Sequence, residues 1–557
     1  MGLIRNGGTG GTSSLMGQSR KHVMARHKVA GAAHGATAPA IAGARYCAVP
    51  LALLLTGCML GPDYKTPEAQ VASQWPTDQL ISARAFDAAD AYWWKAFNDP
   101  TLNALIETAF RNNPSLQVAG VRVLAARAQL NQSIGNLFPQ QQAIGGGVTR
   151  YNTTTSSASR TPVSGALSPD YSTDQLLFSA SWELDFWGKY RRTIESERAS
   201  YLGTVASYDD ALVTLVADVA SSYVNIRTAE ERLRVAVRNA DIQRESLRVA
   251  TVQYKFGETS ELDVRQATTL LGQTEAQIPR LQNTLNQARN GLAVQLGVAP
   301  DHVENFLTGP SDIPSAPAQI AVGIPKDLLR RRPDVRAAGL SAASQSALIG
   351  VAKANMYPAF SLSGVFGYTS NNVAGNSLGD IFQWQNRVTQ VGASFVWPVF
   401  NYGRLVNQVR VQDASFEQAI LNYQNTVLSA QAEVENGISA YRTEQQALDN
   451  LSHAADAARR STALSMVQYK SGEADYTTVL STEQAQLSVE DSVASARGNV
   501  LLGMIGLYRA LGGGWELREG HDVISDDVRA EMARRTDWGS MLEPAHHIPG
   551  KQPEEEQ

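Results

Sequence analysis

Two cysteines, Cys47 and Cys58, are all that the 557-residue chain contains, so a disulfide framework is excluded. No run of 18 or more apolar residues occurs, which excludes a helix that crosses a membrane. A formal net charge of −5 is weak for this length and leaves no electrostatic footprint for nucleic acid. The eight histidines are scattered, and His546-His547 stand in a polar stretch without ligand spacing, so no metal site is expected. The GGTGGT at 7–12 is followed by neither a strand nor a P-loop lysine and does not read as a phosphate cradle. No set of acid, base and nucleophile stands out; the chain does not read as an enzyme, and no cofactor is expected. Proline is missing from 189 to 278 and again from 399 to 543, which leaves room for very long helices.

What is present is a core-forming composition, 43% hydrophobic and 18% charged, arranged as an internal duplication. QYKFGE at 253–258 returns as QYKSGE at 468–473. At the same offset of 215, Trp182 meets Trp397, Gly188 meets Gly403 and Leu296-Gly297 meets Leu511-Gly512. A second block, NPSL at 113–116 with FP at 138–139, returns as RPDV at 332–335 with YP at 357–358, offset by 219. The difference between the offsets must be absorbed after Pro139 and Pro358, where a loop is expected.

Each half reads as short helix, strand pair and long helical hairpin. Leu212, Val216, Val219, Tyr223, Ile226, Leu233, Val237 and Ala240 follow 3,4 spacing, and Val427, Val434, Ile438 and Tyr441 hold matching places in the second half. Such a seam is that of a coiled coil. A helix from Lys189 to Phe256 would be about 100 Å long at 1.5 Å per residue. Leu176, Phe178, Ala180, Trp182, Leu184 and Phe186 alternate with Gln175, Ser179, Ser181, Glu183 and Asp185. Val391, Ala393, Phe395, Trp397 and Val399 repeat this, Phe360, Leu362, Phe366 and Tyr368 do so more loosely, and 144–151 is the poorest of four strand candidates. Period-two segments of about ten residues with aromatics near their ends suit transmembrane strands. Four strands cannot close a cylinder, and an open edge in lipid leaves backbone groups unpaired at several kcal/mol each. The chain is therefore expected to oligomerise; two copies supply eight strands, three supply twelve, and spacing does not choose between them.

The stretch RYCAVPLALLLTGC, ending at Cys58, resembles a bacterial lipoprotein signal, in which cleavage before the cysteine leaves it as a lipid-bearing N-terminus. An ordinary secretory signal that contains cysteine is the alternative. Met59 in place of aspartate implies, by the same resemblance, sorting to the outer membrane. The leader is long, and translation from Met24 is a second option.

Three further stretches carry a family resemblance: CMLGPDYKTPE with YWWKAFNDPTLNALIETAFRNNPSLQVAGVRV, QIPRLQNTLNQARNGLAVQLG at 277–297, and QYKSGEADYTTVLSTEQAQLS at 468–488. They resemble the TolC-like outer-membrane factors, in their lipoprotein branch of OprM/NodT type, from Cys58 to about Gly514. The resemblance implies an α+β membrane protein. It implies a homotrimer whose 12-stranded β-barrel, four strands per protomer, continues as a long periplasmic α-helical barrel. It also implies the outer-membrane duct of a tripartite efflux pump, passively conducting small molecules delivered by a periplasmic adaptor and an inner-membrane transporter of RND type. An exit duct for type I protein secretion and a non-conducting coiled-coil lipoprotein are the alternatives.

On this reading residues 1–57 form the leader and signal peptide, and 58–99 the lipidated N-terminal segment. Residues 100–139 and 188–299 are the helices of the first repeat, flanking a strand pair at 140–187, and 300–325 are an equatorial linker. Residues 326–358 and 403–512 are the helices of the second repeat around strands at 359–402, and 513–557 form a polar, flexible tail. Gly257 and Gly472 suit left-handed helix ends. Ser260 with Asp263 resembles a capping box. Asp475, its repeat partner, is either a helix cap or, as the resemblance implies, one of three carboxylates lining a closed periplasmic gate, with Glu473 a second candidate or a solvated charge. The tip residues Gly257, Ser260 and Gly472 are, by the same resemblance, adaptor contacts. Pro279, whose repeat partner is Ala494, is expected to bend one return helix alone. The basic run in GIPKDLLRRRPDV, 323–335, reads as a structural turn.

Overall fold

The computed structural model describes residues 59–75, 81–82, 88–152, 170–317, 320–323, 331–372 and 377–543, all within one compact unit, Gly57–Gln557. The leader, Cys58 and 544–557 lie outside the described residues.

The duplication is visible in the element order. The first half runs α1 (Pro100–Asn112), α2 (Pro114–Gly135), β1 (Gln141–Asn152), β2 (Asp170–Leu184), α3 (Lys189–Lys255) and α4 (Glu261–Leu296). The second runs α5 (Pro333–Ala354), β3 (Ala359–Asn371), β4 (Arg387–Val396), α6 (Arg404–Lys470) and α7 (Tyr476–Ala510). Local chemistry sets the boundaries. Asp99 accepts from the amides of Thr101 (2.8 Å) and Leu102 (3.2 Å), with Pro100 at the first helical position. Asn113 caps α2 in the same way through Leu116 (2.9 Å). The rods α3 and α6 have 67 residues each and both begin after a left-handed glycine, Gly188 at φ 75° and Gly403 at φ 81°.

The four strands form one antiparallel sheet in sequence order, β1-β2-β3-β4. Residues paired directly across an antiparallel ladder project to the same side. The register sets Ile144, Phe178 and Phe366 in one row, Leu176 with Tyr368, Trp182 with Leu362 and Ala393, and Leu184 with Phe360 and Phe395. The other face carries Ala143, Ser179 and Val365, then Gln141, Ser181 and Ser363, with Gly392 beside Ser363. One face is thus apolar and aromatic, the other small and polar. Phe178, Phe366 and Phe395 are exposed on the single chain, and β1 and β4 are edge strands.

The same wiring ties sheet to helix in each half: Trp182 Nε1 donates to the Leu137 carbonyl (3.1 Å), and Trp397 Nε1 donates to the Met356 carbonyl (3.1 Å). The two bonds obey the two offsets found in the sequence.

The main core lies where α1, α2 and the upper parts of the rods meet. It gathers Leu212, Val219, Tyr223 and Ile226 with Val427, Val434, Ile438 and Tyr441, and Trp93 stacks on Tyr508 with centroids 5.4 Å apart. Val237, placed on the seam by spacing, is exposed instead.

The C-terminal expectation needs correction. Residues 513–543 are not a free tail, because Val523, Ile524, Met532 and Leu542 are buried in the main core and α8 (Asp526–Arg535) is capped by Ser525. The Ser525 amide donates to Gln117 Oε1 (2.8 Å), and a side chain at Gly120 would collide with the Val523 carbonyl. Residues 324–330 of the basic stretch lie outside the described residues; within the rest, buried Arg332 donates to Glu433 (2.7 Å), Asp334 (2.7 Å) and the Ala510 carbonyl (2.7 Å), a structural role.

Candidate functional site

The two copies of the hexapeptide lie at the far end of the rods, beside one another. At each, a glycine takes the left-handed conformation, Gly257 at φ 74° and Gly472 at φ 75°. The Gly257 and Glu258 amides reach back to the carbonyls of Tyr254 (3.0 Å) and Gln253 (2.9 Å). Those of Gly472 and Glu473 reach Tyr469 (3.1 Å) and Gln468 (2.8 Å). This is the double bond that closes a helix on a glycine. Gln253 Nε2 donates to the Tyr469 carbonyl (3.3 Å) and links the two turns. A small apolar cluster of Val249, Ala250, Ala267, Tyr469, Tyr476 and Val479 holds the four helix ends together, separate from the main core.

Ser260 stands at the N-cap of α4, but it does not cap. Its hydroxyl turns to Asp263 (3.4 Å), whose carboxylate also receives the hydroxyls of Thr259 and Tyr469, so the capping box expected from sequence is replaced by a cluster around Asp263. Asp475 occupies the N-cap position of α7 with extended backbone, yet its side chain makes no cap hydrogen bond and is exposed, as is Glu473. Pro279 lies inside α4 on an exposed face, whereas Ala494 is buried within α7.

At the opposite end of the rods the chain that follows Cys58 is pinned to the junction of sheet and helix. The Leu60 amide donates to the Trp187 carbonyl (3.2 Å), Arg192 donates to the Leu60 carbonyl (3.0 Å) and to Asp63 (2.8 Å), and Met59 lies against Gly188. Trp187 packs on Tyr357 (4.8 Å) at the same level, and the Tyr151–Tyr171 stack (4.8 Å) marks the other end of the sheet. Aromatic pairs thus stand at both ends of the sheet, the Tyr151–Tyr171 pair on the face that carries Ser179 and Ser181. No described helix is long and apolar enough to cross a membrane. Among the described residues no group of three or more His, Cys, Asp or Glu could hold a metal.

A family model described as "Outer membrane efflux protein" matches residues 105–298 and 324–513, the two repeats. The chain belongs to the outer membrane efflux protein family. It is 30% identical to nodulation protein T of Rhizobium leguminosarum bv. viciae over 85% of this chain and 94% of that one. It is 31% identical to the pyoverdine export outer membrane protein OpmQ of Pseudomonas aeruginosa, over 83% of this chain and 95% of that one. The solved outer-membrane channel OprN superposes with a TM-score of 0.76 at 32% identity, covering 82% of this chain and 100% of that one. The efflux protein is accordingly an outer-membrane channel, with the TolC-like fold that the sequence motifs implied.

Sequence reasoning missed one group of residues in this efflux protein. Asn239, Gln243 and Ser246 on α3, with Glu483, Gln486 and Glu490 on α7, are polar yet buried. The signal was available in their spacing, since Ala236, Asn239, Gln243, Ser246 and Ala250 keep the 3,4 rhythm of the seam.

Proposed function

We propose that three copies of this chain close a 12-stranded barrel in the outer membrane, continued by their rods as a periplasmic tunnel. The assembly serves as the passive exit duct of a tripartite efflux pump for small solutes. The observation that carries the reading is the sheet: an exposed apolar face, a small polar face and two unpaired edge strands, β1 and β4, mounted on rods of about 100 Å. Lipid cannot satisfy the edge amides and carbonyls, so β4 of one copy must find β1 of the next. The polar face then lines the lumen.

A lipid on Cys58 fits the pinned position of Met59 and Leu60 beside Trp187, at the level where the sheet ends. At the far end, three copies of Asp475 would surround the axis, and its uncapped, exposed carboxylate supports the gate role; Glu473 stands beside it. The turns at Gly257, Ser260 and Gly472 are the contact for a periplasmic adaptor, which couples the duct to an inner-membrane transporter of RND type. The likeness to pump components such as the toluene efflux pump protein TtgC of Pseudomonas putida supports small solutes over exported proteins. Mass measurement of the detergent-purified protein, followed by planar-bilayer recording, tests this. A trimer with unitary currents is expected; a stable monomer without currents overturns the reading.

A further inference from the structure

The seam between α3 and α7 changes character along its length. It is apolar near the tip, where Ala250 and Val479 are buried, and apolar again farther up, at Val235, Val493 and Ala494. Between these lie Asn239, Gln243 and Ser246 on one helix and Glu483, Gln486 and Glu490 on the other, a section of about 10 Å at 1.5 Å per residue. Asn239 Nδ2 donates to Glu490 Oε2 (2.8 Å), and Ser246 meets Glu483 Oε1. Polar satisfaction is incomplete: among the described residues neither amide atom of Gln243 has a partner, nor has Glu483 Oε2. Such a layer is weak packing, because buried polar atoms without partners have given up their hydrogen bonds to water and gained none in return.

The two carboxylates in this section are not equivalent. Glu490 has a counterion, Arg459 on α6 (2.6 Å), as well as Asn239 and Gln486. Glu483, 2% exposed, has none among the described residues. The charged groups around it are otherwise engaged. On α3, Arg244 is tied to Asp241 and Glu275, and Arg248 to Glu245. On α6, Arg459 is held by Glu490 and Asp456, while Thr462, Ser465 and Tyr469 present no charge. On α4, Asp263 is bound by Thr259 and Tyr469 and Glu275 by Arg244. On α7 itself, Tyr476 is buried and Asp491 pairs with Arg232. The hydroxyl hydrogen count admits a protonated Glu483. Ser246 has one hydroxyl hydrogen and two acceptors within reach, the Ile242 carbonyl (3.2 Å) and Glu483 Oε1. Both contacts are satisfied when Ser246 donates to Ile242 and a protonated Glu483 donates to Ser246.

We propose that this section is a proton-sensitive weak point of the seam: Glu483 holds a proton while α3 and α7 stay packed and releases it to water when they part. Burial pushes the Glu483 carboxyl above its ordinary value and outweighs the hydrogen bond from Ser246, which pulls it down. The packed seam therefore binds the proton more tightly than the parted one. Its stability is complete below the ordinary carboxylate value of about 4.3 and declines as pH rises above it toward the packed-state value, by up to about tenfold per pH unit. Because α7 carries Asp475 at its start, parting the seam would move the tip; that consequence rests on the duct reading, whereas the proton sensitivity does not.

Hydrogen exchange of the full-length, detergent-solubilised protein tests it without requiring conduction. After correction for intrinsic rates, protection of 239–250 and 479–490 should fall by up to tenfold per pH unit in the wild type. It should be flat in Glu483→Gln and in Glu483→Met, with Glu490→Gln retaining the wild-type slope. A wild type without slope, or a Glu483 variant that keeps it, overturns the proposal. Absence of channel currents with the slope present would instead count against the duct reading.

Discussion

Arg518 and Asp209 meet in a buried two-point ion pair, at 2.5 and 3.2 Å, across 309 positions of sequence. The pair fastens the segment after α7 to the first third of α3, and Arg336 adds a second positive charge 3.6 Å from the same carboxylate. Arg518→Ala removes the principal partner of a fully buried charge, for which a cost of about 3–5 kcal/mol is expected. Thermal unfolding should show the loss, and limited proteolysis should release the C-terminal segment first. Replacing both residues together with Met and Leu should recover much of the stability.

The sheet offers a comparison between its faces. Phe366→Lys, on the apolar face, should cost about 2–4 kcal/mol if that side meets the bilayer midplane. Ser363→Lys, on the opposite face, should fold normally and shift ion selectivity toward anions. Outer-membrane yield and bilayer recordings distinguish the two, and equal tolerance at both positions would contradict the assignment of faces.

At the tips, Gly257→Ala and Gly472→Ala meet no neighbouring atom, so only the left-handed backbone opposes them. A penalty of about 1 kcal/mol each is expected, seen as faster amide exchange confined to the turns.

Asp475→Asn removes the charge from the proposed gate without touching a cap bond, since none is made. Cation preference in bilayers should fall, while the melting temperature stays within a degree or two of wild type. An unchanged reversal potential would exclude the gate role.

Pro279 takes one amide out of the α4 ladder, and we propose that it sets the curvature of that return helix relative to α7. Pro279→Ala should stabilise α4 and raise the leak of the closed channel. Unchanged closure would remove Pro279 from any part in gating.

Much of this architecture was legible in the sequence because it is periodic. Trp182 and Trp397 announced the duplication, and the alternation from Leu176 to Leu184 gave the strand and its apolar face. Even the poorest candidate, around Ile144, proved to be a full strand, its signal diluted by the run Gly145-Gly146-Gly147. The C-terminal segment was misread because Val523, Ile524, Met532 and Leu542 are too sparse to show a period, although each is buried. The capping box failed because sequence cannot show that Thr259 and Tyr469 compete for Asp263. The polar layer escaped notice since glutamine and glutamate at seam positions look like solvent-facing residues until the partner helix is in place.

The equal length of α3 and α6 constrains how such a protein can change its reach. A heptad inserted into one rod alone would leave its turn about 10 Å beyond the other, pulling Gln253 away from Tyr469 and emptying the cluster around Tyr476. Descendants spanning a wider or narrower periplasm would have to lengthen or shorten both halves in step, with matching changes in α4 and α7. An ancient gene doubling would then persist as a rule of paired insertion.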